Sequence, residues 1–431
     1  MKKTFWMHKR AAVKPLLMIA LSVWVLWGCT ADILSDRESG EDNGALSETT
    51  EIIESEQNVT DTDIAETDAS AQETSETNAV NTEVLPADVE TLQSAQQGLY
   101  SFEMLSEVEK KVYAEVLYTM EHLYKEVTVS TLDTELLGKV FQCVLNDHPE
   151  IFYVDGYTYT RFTQGDTLIK IAFAPTYNKT SEEVATAEEQ IAAYVNTCLQ
   201  VISSHSSDYE KVKYVYEYLI THTEYDLEAV DNQNICSVFI GGRSVCMGYA
   251  KATQYLLREL GMEAVLITGT VYGGEGHGWN LVRLDGAYYF VDTTWGDASY
   301  QMSEEADNGM VSRIPAINYD YLCVTTGQLT RTHVISNVVP VAECTQLTDN
   351  YYVREDAYFE SMDADKLEAL FTAYYAAGRE YVTCKCADEA VYSQMKQYLL
   401  GDQHIFDYLE SDENSVAYAD SDDQLSISFW L

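Results

Sequence analysis

An α+β fold is the expectation for this chain, and three features carry it. Apolar residues recur at helical spacing in several stretches between Leu105 and Leu399. Alternating apolar and polar runs, from Thr167 to Ala174 and from Gln424 to Trp430, have the period of half-buried strands. The dipeptide Asp285-Gly286 separates two further alternating runs, a strong signal for an antiparallel hairpin.

The N-terminus is basic, with Lys2, Lys3, Lys9, Arg10 and Lys14, and an apolar run follows from Leu16 to Gly28. The run is too short for a comfortable membrane span, and its layout is that of a secretion signal, residues 1–28. It ends in Leu26-Trp27-Gly28-Cys29, which resembles a bacterial lipobox, although Trp27 departs from the usual small or β-branched residue. The resemblance implies acylation at Cys29. The competing reading is an uncleaved N-terminal anchor. Both put the bulk of the chain outside the cytoplasmic membrane, held on its outer face.

Residues 29–98 hold 18 acidic residues and one basic, and no aromatic. Such a segment buries too little apolar surface to offset its ordering entropy, so a disordered tether is expected. Of the 26 basic and 70 acidic residues in the chain, the signal and tether hold six and 18, leaving 20 and 52 in residues 99–431, a net charge of −32. That surface repels phosphate backbones, which argues against nucleic-acid partners, and would instead attract cationic peptides or proteins. A solvated acidic surface that only maintains solubility is the plainer alternative.

With Cys29 and Cys246 set aside, seven cysteines remain: Cys143, Cys198, Cys236, Cys323, Cys344, Cys384 and Cys386. An odd number cannot pair completely, and most lie among apolar neighbours as buried thiols do. Cys384-Lys385-Cys386 has no second pair of ligands at metal spacing, so both thiols are expected to pack on one face of a strand. No metal or cofactor is called for.

Residues 99–177 read as an α/β cap, with helices through Leu105–Val127 and Thr134–Leu145 and strands from Ile151 onward. Residues 178–345 open with two helices. Each begins on a capping-box pair, Thr180 with Glu183 and Ser207 with Glu210. Residues 346–431 read as a small α+β domain of helix, strand, helix and strand, without legible chemistry.

Chemistry concentrates in two runs. In Gly241-Gly242-Arg243-Ser244-Val245-Cys246 the chain leads into a helix with Ser244 as the expected N-cap and Gly261 as its C-terminal stop. Cys246 then lies in the first turn, where backbone N–H groups favour a thiolate and can hold an oxyanion. The second run is Gly276 to Trp295. With Asp285-Gly286 as a two-residue turn, Trp279 faces Asp292 and His277 faces Thr294, so His277 and Asp292 are diagonal neighbours on one sheet face. Asp292 can then orient the imidazole whose other nitrogen meets Cys246. Taken singly, each of the three is commoner as a packed thiol, a structural histidine or a turn cap. Together they are hard to explain as packing. Gln233 or Asn234 could offer a second oxyanion donor, but a plain loop role is the favoured reading.

The runs SVCMGYAKATQYLLRELGMEA and GHGWNLVRLDGAYYFVDTTWGD resemble the transglutaminase-like superfamily, in particular its exported bacterial members. THTEYD and DHPEIFYV, further upstream, are also similar to those chains. The resemblance covers residues 207–297 and fades on either side. It implies a papain-like α+β core with nucleophile Cys246 on a helix and with His277 and Asp292 on the sheet. It also implies a thiol enzyme acting on peptide or isopeptide amides, by hydrolysis or acyl transfer. The alternative is a surface binding module that keeps the fold without turnover.

Overall fold

The computed structural model describes residues 3–8, 46–54, 82–203, 205–297, 316–410 and 415–431. The expected lipidation residue, Cys29, and the apolar run before it lie outside the described residues. Among the described residues no helix is long and apolar enough to cross a membrane.

The N-terminal part is built from helices α1 (Pro86–Ala95), α2 (Glu107–Glu121) and α3 (Thr134–Asp147) and from the long hairpin of β1 (Val154–Gln164) and β2 (Thr167–Tyr177). The expected tether is therefore drawn too long. Its end forms α1, because Pro86 starts a helix whose Val89 is buried and whose Leu92 packs on the core. Farther upstream, the backbone of Leu46–Glu54 pairs antiparallel with β1. Similarly, Lys3–His8 pairs with Ser415–Ser421 in the C-terminal sheet. Removal of a leader ending at Gly28 would take that strand with it.

Asp147, from the Asp147-His148-Pro149 run, locks the N-terminal part to the rest. Its carboxylate accepts the backbone N–H groups of Ser101 at 3.1 Å and Phe102 at 2.9 Å and the hydroxyl of Tyr113 at 3.1 Å. Gln254 donates to the neighbouring Asn146 carbonyl at 2.7 Å, and Arg258 donates to that of Asp147.

Next come α4 (Ser181–Leu199) and α5 (Asp208–His222), and both capping boxes are made as the sequence predicts. Helix α6 (Cys246–Glu259) packs on a four-stranded antiparallel sheet ordered β5-β4-β3-β6. Its strands are β3 (Ala264–Val271), β4 (Gly276–Leu284), β5 (Ala287–Val291) and β6 (His333–Ile335). The β4–β5 register runs from Leu284 opposite Ala287 to Asn280 opposite Val291. Asp285 and Gly286 are thus the two loop residues, both at positive φ (46° and 88°) as a type I′ turn requires. The two pairings expected beyond that register, Trp279 with Asp292 and His277 with Thr294, are not part of the ladder, because the chain leaves the strand after Val291 and turns at Asp292 into the short helix Thr293–Gly296.

The C-terminal part holds α7 (Ala364–Ala376), β7 (Tyr381–Cys386), α8 (Glu389–Lys396), β8 (Ser415–Ser421) and β9 (Ser426–Trp430). The β8 strand was not anticipated. Cys384 and Cys386 are both buried on β7, as their alternation predicts.

Candidate active site

Cys246 is the first residue of α6. The expected cap, Ser244, does not cap it: the N-cap is Val245, which makes no side-chain bond, while Ser244 lies 2.6 Å from the Ser237 hydroxyl. The first-turn N–H groups of α6 are therefore not claimed by a side chain of the N-cap residue. Gly248 keeps that turn close to the preceding loop. A Cβ there would lie 1.9 Å from Ser244 Oγ and 3.0 Å from the Asn232 carbonyl.

The strands bring the other two residues to this helix end. Asn280 Nδ2 donates to the Ala250 carbonyl of α6 at 3.0 Å, and the hydroxyls of Thr253 and Thr293 lie 2.8 Å apart. These ties hold β4 and the β5 end against α6. His277 and Asp292 are both buried, whereas Cys246 is partly exposed. His277 Nε2 lies 2.7 Å from Asp292 Oδ2, and Cys246 lies near enough to the same imidazole to favour its charged form. With Nε2 engaged by Asp292, Nδ1 is the nitrogen left for the thiol. The three predicted residues are thus brought together.

Electrostatics follow from this burial. Desolvation alone would lower the His277 pKa, but the Asp292 carboxylate, with a smaller contribution from Cys246, outweighs it and holds the imidazole at about 10. Burial would likewise raise Asp292, yet His277 and then His333 hold it well below the usual carboxylate range. The seven other described cysteines lie deeper than the partly exposed Cys246. All are buried, and burial pushes every one of those thiols upward, Cys198 to about 11 and Cys143, Cys236, Cys344 and Cys386 to about 12.

The sequence reading missed His333. It lies on β6, and its Nε2 is 3.0 Å from the same Asp292 Oδ2. No spacing in the sequence points to it; only a lone histidine on a short alternating run was visible. His277, Asp292 and His333 present ligand atoms close enough to suggest a cation site. The 2.7 and 3.0 Å separations are hydrogen-bond distances, shorter than the roughly 3.3 Å between two ligand atoms bound tetrahedrally to one ion at about 2.0 Å. Asn234, one of the two loop candidates, accepts the Cys236 N–H on its side-chain oxygen at 2.9 Å.

Residues 195–293 match the family model of the transglutaminase-like superfamily. The chain carries a transglutaminase-like domain. Kyphoscoliosis peptidase from Mus musculus is 30% identical over 106 residues, 21% of this chain and 16% of the relative. Its Homo sapiens counterpart is 28% identical over 127 residues, 26% of this chain and 19% of the relative. The chain thus matches under a fifth of the length of these curated relatives. A solved structure of a TGase overlaps 33% of this chain and 44% of its own, at 17% identity and a TM-score of 0.24.

Proposed function

We propose that this chain is an extracytoplasmic thiol enzyme that acts on peptide or isopeptide amides through an acyl-thioester on Cys246. The observation that carries this reading is the Cys246–His277–Asp292 constellation, with its 2.7 Å imidazole–carboxylate contact and its thiol against the same ring. The Cys246 thiolate attacks the amide carbon, and the α6 N–H groups stabilise the resulting oxyanion. His277 gives its Nδ1 proton to the departing amine as the C–N bond breaks, leaving the thioester. Water or a second amine then attacks the acyl carbon, gives its proton to His277, and releases the thiolate. Asp292 stays ionised and holds the ring. The name of the curated relatives, a peptidase, supports an amide substrate. The acidic surface favours cationic peptides or proteins as partners, and no step calls for a cofactor or metal.

Alkylation by iodoacetamide, followed residue by residue by mass spectrometry, tests the site without a known substrate. Cys246 should react far faster than any other thiol, and His277→Ala should slow it markedly. If Cys246 instead titrates like a free thiol near pH 8.5, unchanged by that substitution, the binding-module alternative is the better account. Covalent capture of acyl donors by the wild type, lost in Cys246→Ala, would identify the substrate.

Export and anchoring belong to the same proposal and rest on the N-terminal sequence. Cys29→Ala should abolish incorporation of a fatty-acid analogue and leave the leader uncleaved. Persistent labelling would overturn the anchor assignment.

A further inference from the structure

Asp292 is shared. A carboxylate oxygen only accepts, so the imidazoles of His277 and His333 both direct an Nε2 hydrogen at Asp292 Oδ2, while Oδ1 takes the Trp295 N–H at 3.0 Å. His333 Nε2 is thereby committed, and its Nδ1, 2.8 Å from Thr332 Oγ1, accepts the threonine hydroxyl. Thr332 Oγ1 is in turn approached by the Tyr321 hydroxyl at 3.3 Å and by Gln424 Nε2 at 3.4 Å, and Gln424 Nε2 also donates to Tyr321 Oη at 3.0 Å. The far end of Gln424 accepts from Lys385 Nζ at 3.2 Å, and Lys385 lies 3.2 Å from Asp320, which also accepts from Ser426 at 2.9 Å. All of these side chains are buried. Lys385 on β7, Gln424 in the turn before β9 and Ser426 on β9 belong to the C-terminal part, which offers no chemistry in sequence.

We infer that His333 is a positioning residue for the triad and that the C-terminal part, through Gln424, holds His333 in place. The inference rests on the catalytic reading proposed above. Lys385, Gln424, Tyr321, Thr332 and His333 can each donate in the direction of Asp292; the single Thr332 hydrogen has His333 Nδ1 at 2.8 Å as its nearer acceptor and the Leu329 carbonyl at 3.3 Å as the farther. Asp292 Oδ2 is pinned from two sides, and a pinned acceptor fixes the plane of the His277 ring and hence the direction of its Nδ1 toward Cys246. The C-terminal part is then a structural component of the active site rather than an appendage.

His333 also packs among aromatic rings, with centroid distances of 4.8 Å to Trp295, 5.0 Å to Trp279 and 5.6 Å to Tyr321. The experiment must separate packing from donation. His333→Phe keeps a ring and removes the N–H; His333→Gln removes the ring but can place an amide N–H where Nε2 stands. Iodoacetamide alkylation of Cys246 at fixed pH in the full chain is the measurement, with circular dichroism and thermal melting for each variant. A positioning role predicts that His333→Phe slows Cys246 about tenfold while His333→Gln stays within about threefold of wild type. Thr332→Val, nearly isosteric, should slow it to an intermediate degree and serves if the aromatic variant does not fold. Gln424→Leu should slow it as well. His333→Phe reacting as fast as wild type, or faster than His333→Gln, overturns the positioning role; an unchanged rate in Gln424→Leu overturns the C-terminal contribution. In either case a fast wild-type Cys246 that slows in His277→Ala leaves the catalytic reading standing. A slow wild-type Cys246 unaffected by His277→Ala removes that reading first, and this inference with it.

Discussion

Asn280 donates its side-chain N–H across 3.0 Å to the carbonyl of Ala250, which joins the strand carrying His277 to the helix carrying Cys246. The same nitrogen lies 3.4 Å from the Val265 carbonyl of β3, and Asn280 is completely buried. Replacing it removes both links and leaves two buried carbonyls with fewer partners. Asn280→Ala should therefore cost about 1–3 kcal/mol in urea unfolding and slow alkylation of Cys246. A loss of stability with no change in alkylation would mean that this tie does not set the distance between thiol and imidazole.

The imidazole–carboxylate pair should leave a signature in the pH dependence of stability. His277 is raised from an ordinary 6.5 to about 10, so its stabilisation is complete below pH 6.5 and is lost as pH rises toward 10. Asp292 is depressed from 3.8, so its stabilisation is present above that value and is lost as pH falls through the depressed one. The two shifts describe one interaction and count once. The difference in melting temperature between wild type and His277→Ala should thus be largest between about pH 4 and 6.5 and shrink on both sides. A difference that does not vary from pH 5 to pH 10 would show that the pair is not ionic in the fold.

Asp292 is more than a catalytic orienter. The structure gives this carboxylate three partners, His277, His333 and the N–H of Trp295, and makes it the N-cap of the helix Thr293–Gly296. Asp292→Ala should cost about 3–5 kcal/mol, as removal of one member of a buried charged pair does. Asp292→Asn keeps a capping oxygen and should cost clearly less, while still slowing Cys246. Equal melting temperatures for the two variants would contradict this account.

Truncation distinguishes the revised boundary from the expected one. Helix α1 buries Val89 and packs on α2, so a chain beginning at Leu99 should be less stable than one beginning at Thr82 by about 1–2 kcal/mol. Coincident denaturation curves would restore the longer tether.

The sequence by itself determined the parts of this protein whose geometry is local. A capping box needs four residues, and both predicted boxes form. A two-residue Asp-Gly turn sets its own register, and that register places His277 diagonal to Asp292. The position of Cys246 at a helix start follows from one change of hydrophobic period. Tertiary structure decided what depends on residues far apart in the chain. His333 reaches Asp292 from 41 positions away, and Gln424 reaches Thr332 from 92. No local period records such contacts, because each polar partner reads in sequence like any other residue of its strand or loop. The same holds for α1: its acidic, polar composition reads as tether, and it is a helix because α2 offers its few apolar side chains a surface on which to be buried.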